Sequence, residues 1–234
     1  MTEVILIIFA AAIIYYVATR VAPRGLMFRV KKDVPSENGK EQEVKAVPLD
    51  KTLEEKLLDD GQQLLNRGDL EGSEKKFLET IKADPNSAEA YHFLGMIYLR
   101  QKMYKGAIAA LEKATRLDPL NDTDFNNLGL AYFNTENYEK AIENLEKSIN
   151  LNDKIAHRYL NLALAYQKLK NYDKAAIALD NSIKIHANAE NLTLLAKNYL
   201  EMKDKKLALH AVEQLLEVDP KNSWAKRQLA ALKD

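Results

Sequence analysis

The chain contains no cysteine. That excludes disulfides, thiolate metal sites, a cysteine nucleophile and lipid attachment through an N-terminal cysteine. Charge of one sign is not in excess either: 34 basic residues balance 34 acidic ones, so no global field steers the chain toward nucleic acid. Only eight glycines accompany 47% hydrophobic residues, a balance that fits an ordered, helix-rich protein and not a disordered one. The four histidines (His92, His157, His186, His210) are isolated, without HxxxH or HxH spacing, so no metal site is expected. No nucleophile elbow, phosphate-cradling glycine loop or dinucleotide fingerprint occurs. Asp118 to Asn127 (DPLNDTDFNN) has some acids of a calcium loop but lacks its central glycine and its terminal bidentate acid. The expectation is a protein with no enzymatic activity and no cofactor. At 234 residues it has room for one large or two small domains.

Three stretches of different character are present. The first, residues 1–22 (MTEVILIIFAAAIIYYVATRVA), carries no charge or helix breaker from Val4 to Ala18. Fifteen helical residues span about 22 Å against a hydrocarbon core of roughly 30 Å, and Thr2, Thr19 and the stem of Arg20 extend the segment to the lower spanning limit. Nine Val, Ile, Leu and Phe residues favour insertion, and Tyr15 and Tyr16 sit where an interfacial aromatic belt belongs. A cleavable signal peptide is the rival reading, with Ala10, Ala11 and Ala12 as a cleavage-site mimic; however, its basic n-region is missing. The segment reads as a single transmembrane anchor. Arg20, Arg24, Arg29, Lys31 and Lys32 crowd its C-terminal flank, which places the remainder in the cytoplasm and a very short tail outside. The same cations could contact anionic headgroups or serve only as topology signals.

Residues 23–50 form the second stretch, a basic juxtamembrane piece followed by a charge-mixed linker with Pro35, Gly39 and Pro48 and no apolar period. It reads as a flexible spacer.

The third stretch, residues 51–234, repeats at about 34 residues. Tyr91, Leu94, Gly95, Tyr98, Ala107, Leu111, Ala114 and Pro119 recur as Phe125, Leu128, Gly129, Tyr132, Ala141, Leu145 and Ser148, and again as Tyr159, Leu162, Ala163, Tyr166, Ala175, Leu179 and Ser182. A first copy keeps Leu57, Gly61, Leu64, Ser73, Phe77 and Pro85 but has Asp60 in place of Leu; a fifth keeps Leu192, Leu195, Ala196, Tyr199, Ala208, Val212 and Pro220. One residue is dropped near Ala187 to Ala189. Each copy holds two amphipathic stretches with small residues where helices approach.

This pattern resembles the tetratricopeptide repeat (TPR), over residues 54–222. The resemblance implies an all-α fold: a right-handed α-solenoid of about five helix pairs (54–87, 88–121, 122–155, 156–188, 189–222), closed by a capping helix at 223–234 with Trp224 and Leu229 packed and Lys226 and Arg227 in water. It also implies that first-helix residues not needed for packing line a concave peptide-binding groove. These are Phe93, Met96 and Leu99; Asn126, Asn127, Leu130 and Phe133; His157, Leu160, Asn161, Leu164 and Gln167; and Thr193, Leu194, Lys197 and Leu200. In relatives, asparagines at the places of Asn127 and Asn161 form a ladder along extended peptides. The apolar residues suit an amphipathic helix or an apolar peptide. An acidic C-terminal tail fits less well, because the basic clamp of chaperone-binding relatives is replaced by Leu58, Gln62, Thr123 and Asn127. The expected function is a membrane-anchored adaptor that captures a protein segment, raising its effective concentration at the membrane. A scaffold working through its convex face or anchor, and an exported soluble binding protein, are the alternatives.

Overall fold

The computed structural model describes residues 52–233. They form eleven helices: α1 (Leu53–Asn66), α2 (Leu70–Ala83), α3 (Ala88–Arg100), α4 (Tyr104–Leu117), α5 (Asp122–Asn134), α6 (Tyr138–Leu151), α7 (Ala156–Lys168), α8 (Tyr172–Ile185), α9 (Ala189–Glu201), α10 (Lys205–Val218) and α11 (Ser223–Lys233). Their starts are set by short polar side chains that accept from orphan backbone N–H groups. Asp69, Asn121, Asn137, Asn171, Asn188 and Asp204 each do so, and Thr52 forms a capping box with Glu55. The helices pair as α1–α2, α3–α4, α5–α6, α7–α8 and α9–α10, and each pair packs on the next. Four residues link α2 to α3, α4 to α5, α6 to α7 and α10 to α11, whereas only His186, Ala187 and Asn188 link α8 to α9. The dropped residue in the repeat is therefore a shortened inter-pair turn. Asp118 to Asn127 runs from such a turn into α5, with Asn121 as helix cap, and so does not form a calcium loop.

Within a pair the two helices approach through glycine or alanine. A Cβ on Gly61 would lie 2.7 Å from the Phe77 ring, one on Gly95 2.4 Å from Leu111 Cγ, and one on Gly129 2.7 Å from Leu145 Cγ. Ala163 and Ala196 occupy the same places in the last two pairs and are buried. Ser73, Ser148 and Ser182, also fully buried, reach back across the pair to the carbonyls of Gly61, Asp122 and Ala156.

Between pairs the contact is apolar below and polar at its edge. Leu58, Leu65, Phe77, Ala90, Leu94 and Ile97 form an N-terminal core cluster; a longer one runs from Ala107 to Leu232. At the edge, Tyr98 donates to Glu74, Tyr132 to Glu112 and Tyr166 to Glu146. Burial, and then these carboxylates, push the Tyr98 and Tyr132 phenols up to about 12 and raise Tyr166 as well. The phenols stay protonated and keep donating. Helix α11 covers the last pair with buried Ala225 and Leu232 and half-buried Trp224 and Leu229, leaving Lys226 and Arg227 exposed. No described helix is long and apolar enough to cross a membrane. Residues 1–22, read as the anchor, and the cations Arg20, Arg24, Arg29, Lys31 and Lys32 lie outside the described residues, as do residues 23–50.

Candidate binding groove

The first helices of the pairs, α1, α3, α5, α7 and α9, lie side by side, and contacts between alternate helices join α3 to α5 and α5 to α7 directly. The residues on this shared face fall into three groups. Phe93, Phe133, Leu160 and Leu194 are half-buried and pack against the core clusters. Phe93 stacks on Phe77 at 4.8 Å between ring centroids, and Phe133 meets Tyr138 edge-on at 5.5 Å. Met96, Leu130 and Leu164 are half-buried too but stand outside both clusters. They recur at 34-residue intervals and form a row across α3, α5 and α7. Lys197 continues the row on α9, exposed, with its ammonium 5.6 Å from the Trp224 ring centroid.

The third group is polar, and it bridges neighbouring first helices. Gln62 donates to Glu89 at 2.7 Å. His92 is bonded through Nδ1 to the carboxylate of Asp124, which is 1% exposed. Asn161 donates to Asn126 at 3.3 Å, and Gln167 to Asn198 at 3.2 Å. Asn126 and Asn161 are thus joined to each other, and Asn126 is buried. Asn127 is half-buried and has no side-chain hydrogen bond among the described residues. The four places corresponding to a chaperone clamp differ in use: Leu58 is buried core, Gln62 is tied to Glu89, Thr123 bonds Asp122, and Asn127 is open.

A buried polar row behind this face escapes a reading of repeat landmarks. Asp124, Arg158 and Asn191 are each at most 3% exposed, at the place where the second pair has Ala90. The Arg158 guanidinium donates to Asp122 at 2.7 Å and to the carbonyl of Ser148 at 3.3 Å. The hydrogen bond from Arg158 holds the Asp122 carboxyl below the usual carboxylate range. The signal was present as a switch from Ala to Asp, Arg and Asn at one register, but the partners His92, Asp122, Ser148 and Ser182 come from neighbouring helices.

On the opposite side, between α4 and α6, an open recess of about 390 Å³ is lined by Glu112, Arg116, Phe125, Tyr132, Lys140 and Lys147 among others. Lys140 lies 5.1 Å from the Tyr132 ring and Lys147 5.9 Å from that of Phe125. No group of three or more His, Asp or Glu residues suited to a metal ion occurs among the described residues.

Comparison with known proteins agrees with this geometry. Family models of the tetratricopeptide repeat match residues 58–122 and 189–222, and a model of anaphase-promoting complex, cyclosome, subunit 3 matches residues 103–182. No curated protein matches. Among solved structures, a crystal structure of MamA is 27% identical, covers 70% of this chain and 96% of its own, and superposes with a TM-score of 0.66. MamA from Desulfovibrio magneticus RS-1, residues 41 to the end, is 20% identical over 74% of this chain and 98% of its own, with a TM-score of 0.67. YrrB, described as a TPR protein with an unusual peptide-binding site, is 20% identical over 73% of this chain and 89% of its own, also with a TM-score of 0.67. The latter two show likeness of fold alone. Residues 58–122 and 189–222 thus match tetratricopeptide-repeat models, and the described helix pairs stack in an all-α, solenoid-like fold shared with the MamA structure.

Proposed function

We propose that this protein is a membrane-anchored adaptor that holds a segment of a partner protein in its concave groove. The observation carrying the groove reading is the row of Met96, Leu130 and Leu164, half-buried apolar side chains outside the core clusters. Water-exposed apolar surface held in register by a rigid scaffold is what a partner segment can cover. Residues 1–22 supply the anchor by the hydropathy argument, Arg20, Arg24, Arg29, Lys31 and Lys32 place the repeats in the cytoplasm, and residues 23–50 give reach. The mechanism is recruitment: tethering raises the partner's effective concentration at the membrane.

The groove is tested by partner pull-down with the full chain. Replacing Asn161 or Phe133 also disturbs the Asn126 bond or the Tyr138 contact, so Met96→Lys/Leu130→Lys/Leu164→Lys is the cleaner variant. Loss of the partner at unchanged helicity supports the groove; undiminished capture sinks it. The recess between α4 and α6 favours one second reading, assembly through the convex face. Lys140→Glu/Lys147→Glu would then abolish capture while the groove variant retained it.

A further inference from the structure

The shared first-helix face has little left with which to bind an extended peptide backbone. Gln62, His92, Asn161 and Gln167 are each spent on a neighbouring first helix. Asn134 donates to the Leu130 carbonyl within its own helix. Of the amides on this face from α3 to α9, Asn127 alone has no side-chain hydrogen bond among the described residues. An extended segment laid here would bury backbone N–H and C=O groups that require partners, and a single amide does not supply them. A helix arrives with its backbone bonds already made.

Spacing and charge agree with that occupant. Packed helices lie about 8–10 Å apart, so Met96, Leu130 and Leu164 on α3, α5 and α7 present apolar contacts at about that interval. A helix laid across them advances about 10.5 Å in seven residues, bringing a heptad stripe into register with the row. The two rims differ in sign. Glu89 and Glu190 stand in the first turns of α3 and α9, whereas Arg100 and Lys168 stand exposed in the last turns of α3 and α7. His157, between the two acids, is shifted down by desolvation and then by Arg158, which favours its neutral form. Glu201, in the last turn of α9, is the one rim charge that breaks the pattern.

We infer that the groove takes an amphipathic α-helix of a partner protein, lying across the first helices with its apolar stripe on Met96, Leu130 and Leu164. Basic residues along one side of that helix face Glu89 and Glu190, and acidic residues along the other face Arg100 and Lys168. This inference rests on the groove reading and narrows it.

The test uses a display library of random peptides about 20 residues long, selected on the full chain in phosphatidylcholine nanodiscs. Counter-selection uses Leu130→Lys/Leu164→Lys, with Leu130→Ser/Leu164→Ser as substitute if the first variant fails to fold. Enrichment of peptides with apolar residues at i, i+3 or i+4 and i+7 that gain helical circular dichroism on binding is expected. The counter-selection variant should bind them about tenfold to a hundredfold more weakly, as loss of one or two buried leucine contacts implies. Arg100→Glu/Lys168→Glu should turn the acidic flank of the selected peptides basic. Enrichment of groove-dependent peptides without helical period, binding in extended form, overturns the helix inference and leaves the groove intact. Enriched peptides indifferent to Leu130 and Leu164, or no enrichment at all, overturn both.

Discussion

At the scale of single residues, two features carry energies that single substitutions can read: strained left-handed turns and a half-buried ion pair. Lys102, Glu136, Lys170 and Lys203 sit in left-handed turns between paired helices, with φ from 57° to 62°, where the first pair has Gly68 at φ 83°. An L residue with a side chain is strained there by roughly 1–2 kcal/mol, less the entropy that glycine loses on folding. Each of Lys102→Gly, Glu136→Gly and Lys170→Gly should therefore raise the unfolding free energy by about 0.5–1 kcal/mol, seen as a higher urea midpoint at unchanged m-value. The second case is the Asp122–Arg158 pair. Asp122 is held ionised by a guanidinium that is 4% exposed, so Asp122→Ala should cost about 2 kcal/mol at neutral pH. The sign of its pH dependence follows from the lowered pKa. The stabilisation is present above the unfolded carboxylate value of about 3.9 and is lost as pH falls through the folded one. The stability gap between wild type and variant should begin to narrow below about pH 4 and close only once the pH lies below the folded pKa of Asp122; a gap that persists into strong acid would count against the pair. Neither the strained turns nor the ion pair was legible, because φ and a partner 36 residues away are properties of the folded chain.

At the scale of helices, small residues and tyrosines set how closely the elements stack. Gly95 lies against Leu111, which is fully buried. Gly95→Ala gains about 1 kcal/mol of helix propensity but overpacks the pair by typically 1–3 kcal/mol, so a net loss of about 1 kcal/mol in chemical denaturation is expected. The role of Gly95, Gly129 and Ala163 was readable from their recurrence, since only close helix approach explains a small residue kept at one register. Tyr132 ties α5 to Glu112 of α4, and burial and then Glu112 push its phenol up to about 12. A raised folded pKa means the contribution is whole below the unfolded value of about 10 and disappears as pH rises toward 12. Tyr132→Phe should thus cost about 1 kcal/mol at neutral pH and show a weaker alkaline loss of stability than wild type. The register of α8 and α9 was legible as one missing residue, and the turn His186, Ala187, Asn188 is where it is absent.

For the molecule as a whole, the proposed anchor and the groove make separate demands. Removing residues 1–22 should release the protein from the membrane fraction at alkaline pH without altering its helicity. Protease added to sealed vesicles from the cytoplasmic side should digest residues 51–234; protection of the repeats would reverse the proposed topology. By itself the sequence determined the all-α solenoid, because a 34-residue recurrence of large and small residues leaves stacked helix pairs as the way to bury them. The candidate face followed too, since first-helix residues outside the landmarks share one side. Only the tertiary structure decided how those residues divide: Phe93, Phe133 and Leu160 lean into the core, Asn126 and Asn161 bond each other, and Met96, Leu130 and Leu164 remain as the open row. The physical reason is that periodicity assigns a residue to a face of its helix, while the use of that face depends on the distance and chemistry of the next helix, one repeat away.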